Sequence, residues 1–178
     1  MNLKSSAIKK VRNRIMKILI HDLEDKDVEQ FVNISDQVIR ADGKYAPCKG
    51  CFKCWTKHPA SCDFKDSLHE MCRILGQADD LMIITENCYG GYSPNIKRLL
   101  DRSIGVSTPM STYRGGLMHH TLRYGKHHNF HVFVYGEISE KEKETWKLMV
   151  EVNSINNGYE QYEVEFVTEE ELRWRGRR

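Results

Sequence analysis

The chain has 178 residues, 40% of them hydrophobic and 29% charged, with a formal net charge of +2. That length bounds a single domain with a substantial core, and no apolar run approaches the roughly 18 residues that cross a bilayer as a helix. The basic N-terminus is not followed by an apolar h-region, so no secretory leader is expected. A cytoplasmic, reducing setting is expected, in which closely spaced cysteines bind metal or do redox work more often than they form structural bridges.

The charge is unevenly spread. Residues 1–17 carry six Lys or Arg and no acid, which leaves the rest with a net −4. A second basic patch, RWRGRR, ends the sequence. Residues 1–15 read as a basic extension, 16–168 as the folded domain and 169–178 as a charged tail. No aromatic-interleaved basic face accompanies these ends, so no nucleic-acid partner is expected.

In chain order, MKILIHDL (16–23) is a short apolar run of the kind found in a buried parallel strand. DVEQFV (27–32) places Val28, Phe31 and Val32 on one side of a short helix, and DQVIRAD (36–42) reads as a second strand. DSLHEMCRILGQA (66–78) has the i, i+3, i+4, i+7 recurrence of a helix in Leu68, Met71, Cys72 and Leu75, with Asp66 as its cap. DLMIITENCY (80–89) is a third strand, followed by a helix over 93–104 that opens with Ser93 and Pro94. NFHVFVYG (129–136) is the fourth strand. Ser139 and Glu142 then sit at capping-box spacing for a helix over 139–156. YEVEFVT (162–168) is the fifth.

Five strands separated by crossover helices predict an α/β fold: a three-layer, doubly wound parallel sheet in the flavodoxin-like order 2-1-3-4-5. In such a sheet ligands bind beyond the carboxyl ends of the strands. The loops after strands 1, 2, 3 and 4 are therefore expected to converge on one edge.

Two loops carry chemistry. ENCYGGYSP offers adjacent Gly90 and Gly91, whose N–H groups could meet a flat heteroaromatic ligand, between Tyr89 and Tyr92 as stacking faces. The same residues also suit a plain tight turn. CKGCFKCWTKHPASC sets Cys48, Cys51, Cys54 and Cys62 in the spacing C-x2-C-x2-C-x7-C. A disulfide or dithiol relay, a zinc site, an iron–sulfur cluster and a purely apolar role are all open. Two consecutive x2 gaps crowd a single tetrahedral ion but can wrap three corners of a cubane, with the fourth cysteine closing the set. Cys72 lies on an apolar helix face and reads as core, whereas Cys88 beside the glycine loop is ambiguous.

The segment DDLMIITENCYGGYSPNIKRLLDRS resembles flavodoxin-like NAD(P)H-dependent FMN reductases, in which a strand runs through a Pro-x-Tyr loop into a helix ending Lys-x-x-x-Asp-Arg. Tyr89, Ser93, Lys97, Asp101 and Arg102 match, and Asn87 stands at the usual proline. The cysteine stretch resembles iron–sulfur flavoproteins of the same superfamily. The resemblance implies an FMN ring against Glu86, Asn87, Cys88, Tyr89, Gly90, Gly91 and Tyr92, with Tyr135, Gly136 and Glu137 nearby. It implies a 4Fe-4S cluster on Cys48, Cys51, Cys54 and Cys62, NAD(P)H or a protein as electron donor, a homo-oligomer, and no catalytic acid or base from the protein.

One departure stands out. The Ser/Thr/Gly/Arg-rich phosphate loop of that superfamily is replaced here by HDLEDKD, where Asp22, Glu24, Asp25 and Asp27 face only Lys26 and His21. Either flavin is held by its ring, or its phosphate has another partner, or the flavin is lost. The rival classes are a cofactor-free binding or assembly module and a thiol-based redox sensor. The stretch HHTLRYGKHHNFH holds His119, His120, His127, His128 and His131 without a well-spaced carboxylate. It reads as a loop over the ligand site, or as a subunit contact through YRGGLMHH, with Arg114 or Arg123 available to an anionic substrate.

Overall fold

The computed structural model describes residues 14–24, 27–114 and 116–174. Most of the basic N-terminal extension, Asp25, Lys26, Gly115 and residues 175–178 lie outside the described residues. Strand β1 spans Lys17–His21, β2 Gln37–Arg40 and β3 Asp80–Glu86. Strands β4 (Ser107–Arg114) and β5 (Leu117–Leu122) precede β6 (His127–Tyr135) and β7 (Tyr159–Phe166). The main sheet runs β2-β1-β3-β6-β7 with every pairing parallel, which is the predicted order 2-1-3-4-5 once the separate β4–β5 hairpin is set aside.

The helices are α1 (Glu29–Val32), α2 (Lys53–Thr56), α3 (Met71–Gly76), α4 (Pro94–Asp101), α5 (Glu140–Asn157) and α6 (Glu169–Trp174). Helices α3, α4 and α5 bury Met71, Leu75, Ile96, Leu99, Trp146 and Val150 against Ile18, Ile20, Ile83, Val132 and Val134 on one face of the sheet. On the other face, Leu19, Ile84, Phe133 and Tyr135 pack, among the described residues, with Phe31 of α1, Leu172 of α6 and the loop residues Leu23, Val28 and Val167. Among the described residues no helix is long and apolar enough to cross a membrane.

Three expectations are revised. The helix predicted over 66–78 is regular only from Met71, with 67–70 as turns; Asp66 opens those turns as an acceptor, its Oδ1 taking the Leu68 N–H at 3.1 Å while the same carboxylate pairs with Arg102. The fifth strand begins at Tyr159 rather than 162. Gly158, at φ +82°, ends α5 in the left-handed conformation, and the next residue packs at once on Phe130. The histidine-rich loop is instead an antiparallel hairpin, with Ser111 opposite His120 and Tyr113 opposite Met118. Trp55 of α2 packs against His120 with ring centroids 4.7 Å apart, and His119 bonds Asn156 of α5 at 2.9 Å. Arg114 and Arg123 donate to backbone carbonyls within and beside this hairpin.

Candidate functional site

The carboxyl edge of the sheet brings together Asp22 after β1, residues 86–92 after β3 and residues 135–137 at the end of β6. Asp22 is the hub. Its Oδ1 accepts from the Tyr135 hydroxyl at 3.0 Å, and its Oδ2 accepts from Glu86 N at 3.1 Å and Thr85 Oγ1 at 3.3 Å. Burial and the Asp22 charge both push the Tyr135 phenol well above its ordinary value, so it stays a neutral donor.

Asn87, at the position of the usual proline, organises the loop. Its Nδ2 donates to Glu137 O at 2.7 Å, and its Oδ1 accepts from Gly90 N at 3.1 Å and from Trp146 Nε1 at 2.8 Å. Its own N–H donates to Tyr135 O, a bond that proline could not make. Cys88 and Gly91 exchange N–H···O bonds of 2.9 and 3.0 Å. The Gly90 and Gly91 donors anticipated for a ring ligand are therefore engaged within the loop. Tyr92 is buried edge-on against Trp146 at 4.9 Å, with its hydroxyl accepting from Asn153, so it offers no stacking face. Tyr89 alone projects outward, 96% exposed.

The described residues that meet here favour no phosphate dianion: Asp22, Glu24, Glu86 and Glu137 are acidic, and the Glu86 N–H is already committed to Asp22. Glu24 pairs with Arg40 at 2.9 Å. Sequence reading identified the acidic character but not the role of Asp22 as acceptor, because nothing local signals bonds to residues 63 and 113 positions away.

The cysteines lie elsewhere. After β2 the chain leaves the edge at Tyr45, whose hydroxyl donates to Asn95 O at 2.8 Å near the start of α4. The next residue is held from the other end of α4, where the long Arg102 side chain donates from Nη1 to Ala46 O at 2.8 Å, and the thiol cavity beyond it is lined by Asp101, Arg102 and Ile104. Eight helical residues rise about 12 Å. The thiol loop therefore does not converge with the other loops, as the order of elements alone suggested.

There Cys48, Cys51, Cys54 and Cys62 all line one cavity of about 330 Å³, with Phe52, Phe64, Arg102 and Ile104. All six cysteines are unbridged. Gly50 at φ +63° and Phe52 at φ +53° flank Cys51, so the backbone reverses twice within C-x2-C-x2-C. Gly50 N donates to Cys48 Sγ at 3.4 Å. The Arg102 side chain is 0% exposed and forms a bidentate pair with Asp66 at 2.8 and 2.7 Å. Its guanidinium lies 5.0 Å over the Phe64 ring, and its buried Nε has no hydrogen-bond partner among the described residues.

Cys72 is core, as predicted, yet it also serves the pocket. Its single S–H proton is shared between Arg102 O, 3.4 Å away, and the Cys54 sulfur. That bond draws the Cys54 thiol down to about 7 against the opposing effect of burial, while the bond and burial push Cys72 up. Gly105 closes the floor, where an added Cβ would lie 2.8 Å from Cys72 Sγ and 3.2 Å from Cys54 Cβ. A single zinc ion needs sulfurs about 3.8 Å apart, and no three of these thiols lie within 4.8 Å of one another. The pocket thus brings four thiols to one cavity with one buried donor, Arg102 Nε, that has no hydrogen-bond partner among the described residues.

No family model matches the chain, and no curated protein matches it in sequence. Solved structures do match in shape. An NAD(P)H:quinone oxidoreductase from Methanothermobacter marburgensis aligns over 92% of this chain and 96% of its own, at 13% identity and a TM-score of 0.58. An FMN-dependent NADH-azoreductase from Bacillus anthracis, in complex with FMN, aligns over 89% of each chain at 11% identity and a TM-score of 0.54. An NADPH-quinone reductase from P. pentosaceus covers 88% of this chain and 85% of its own, at 10% identity and a TM-score of 0.52. Together with the strand order, these likenesses show a flavodoxin-like fold.

The Arg102 guanidinium beside Asp66 holds its carboxyl at about 2, below the ordinary 3.8. A depressed carboxylate stabilises the fold above the unfolded value and stops doing so as pH falls through the folded one. The pair therefore contributes about 2 kcal/mol above pH ~4, lost between pH ~4 and ~2. Asp66→Asn should lower stability by about 3 kcal/mol at neutral pH by leaving a buried cation unpaired. Urea denaturation should show the wild type and variant converging as pH falls toward 2.

Proposed function

We propose that this protein is an oxidoreductase of the NAD(P)H–flavin class that holds an iron–sulfur cluster in the Cys48–Cys62 pocket. The observation that carries the proposal is the meeting of four thiols, a buried guanidinium and an N–H···S bond on one cavity. Cys48, Cys51, Cys54 and Cys62 would be the ligands, and a cluster held by them supplies electron transfer. The chain's own contribution is electrostatic. Arg102 offsets thiolate charge from inside, Gly50 N–H tunes Cys48, and Phe52 and Phe64 limit water. Cys54, at about 7, is readily available as a thiolate near neutral pH.

The flavin half rests on the likeness of residues 80–104 to FMN reductases and on the flavin and nicotinamide named for the solved structures. The acidic edge supplies no phosphate cradle, so no step is assigned to FMN. A flavin at this edge is recognised by its ring, with exposed Tyr89 as the available face. A second reading, a cofactor-free module, is favoured by one observation: Asp22 and Asn87 already occupy the edge's donors.

Anaerobic reconstitution of the full chain with iron and sulfide should give broad visible absorbance that Cys54→Ala loses. A colourless wild type would sink the cluster proposal. Flavin fluorescence titrations should give FMN and riboflavin affinities within about threefold of each other, since tenfold is 1.4 kcal/mol and no phosphate contact is available. A tenfold preference for FMN would contradict the ring-only reading, and binding of neither flavin would favour the cofactor-free module.

A further inference from the structure

We infer that the thinly covered face of the sheet carries a second site, in which His131, Glu163 and Glu165 bind a divalent first-row transition ion. Strand register creates it. His131 of β6 is paired with Glu163 of β7, and Phe133 with Glu165. Side chains two residues apart share a face of a strand, so the imidazole and both carboxylates point the same way. The carboxylates missing from the histidine stretch itself are supplied by the neighbouring strand.

One ligand atom from each of the three residues lies within 4.8 Å of the other two. His131 Nε2 is 2.8 Å from Glu165 Oε1 and 3.9 Å from Glu163 Oε2. An ion with ligands at 2.0–2.2 Å spaces them about 3.0–3.5 Å apart in octahedral or tetrahedral geometry, inside that range. The ring is stacked on Phe133 with centroids 4.1 Å apart, which fixes its direction. Nε2 is buried but receives no angle-satisfying hydrogen bond, so the 2.8 Å approach to Glu165 is not an in-line N–H···O contact.

Glu163 and Glu165 place two carboxylates beside one imidazole. A dication neutralises both and uses the Nε2 lone pair. Mixed imidazole and carboxylate donors select Mn²⁺, Fe²⁺, Co²⁺ or Zn²⁺ over Mg²⁺ and Ca²⁺. A cavity of about 280 Å³ borders His131 and Glu163, with Lys17, Asp80, Met82 and Asn129 on its other walls. The remaining coordination positions are thus open to water or a small anionic ligand, as in a reactive rather than a closed structural site.

Manganese is the discriminating probe, because thiolates bind it poorly and the cysteine pocket then stays silent. Free Mn²⁺ measured by electron paramagnetic resonance, on the full chain in chelator-treated buffer, should reveal one saturable site per chain. Glu163→Gln, at a residue 67% exposed that can change without unfolding the sheet, should weaken it at least tenfold. His131→Ala should do the same, and Cys54→Ala should leave it intact, which separates this site from the thiol pocket. Absence of saturable binding, equal affinity in Glu163→Gln, or loss in Cys54→Ala would each overturn the inference.

Discussion

The placement of the cysteine loop depends on one buried cation. Arg102, at the end of α4, ties Ala46 and Asp66 to the same guanidinium and lies over Phe64. Those contacts fix both ends of a long connection that contains only one turn of helix, α2. A buried charge left unpaired costs several kcal/mol, so the connection is held wherever Arg102 is held. The four thiols lie on the connection between the Ala46 and Asp66 anchors and share one cavity with Arg102.

The same packing separates two regions that the strand order alone would place together. At the carboxyl edge, Asp22 and Asn87 consume hydrogen bonds that a bound anion or heterocycle could otherwise use. Acidic residues of the described loops add repulsion to an anion there. At the other end of α4 the surroundings differ: four thiols meet a buried arginine whose Nε has no hydrogen-bond partner among the described residues. The two regions thus differ in charge, acidic at the sheet edge and cationic beside the thiols.

Much of the fold was legible in the sequence. The apolar runs at 16–23 and 80–89, the Ser93–Pro94 start and the Ser139–Glu142 box are local signals, and each marks an element close to where it was placed. The revisions arise where a distant partner decides. Asp66 accepts from Leu68 N as expected, but its carboxylate also binds Arg102, 36 residues on, and the regular helix is delayed to Met71. The histidine stretch becomes a hairpin because α2 and α5 supply packing for it. The cysteine spacing announced a common site, whereas the involvement of Cys72 and Gly105 depends on tertiary contact and left no periodic trace.

The central claim is that the pocket assembles a cluster rather than holding loose iron. Mössbauer spectroscopy of the chain reconstituted with ⁵⁷Fe and sulfide tests it most directly. A cubane on Cys48, Cys51, Cys54 and Cys62 predicts about four irons per chain, all in the spectral envelope of a thiolate-ligated cluster. High-spin ferrous iron in nitrogen and oxygen surroundings, or a spectrum unchanged when Cys54 is replaced by alanine, would contradict it.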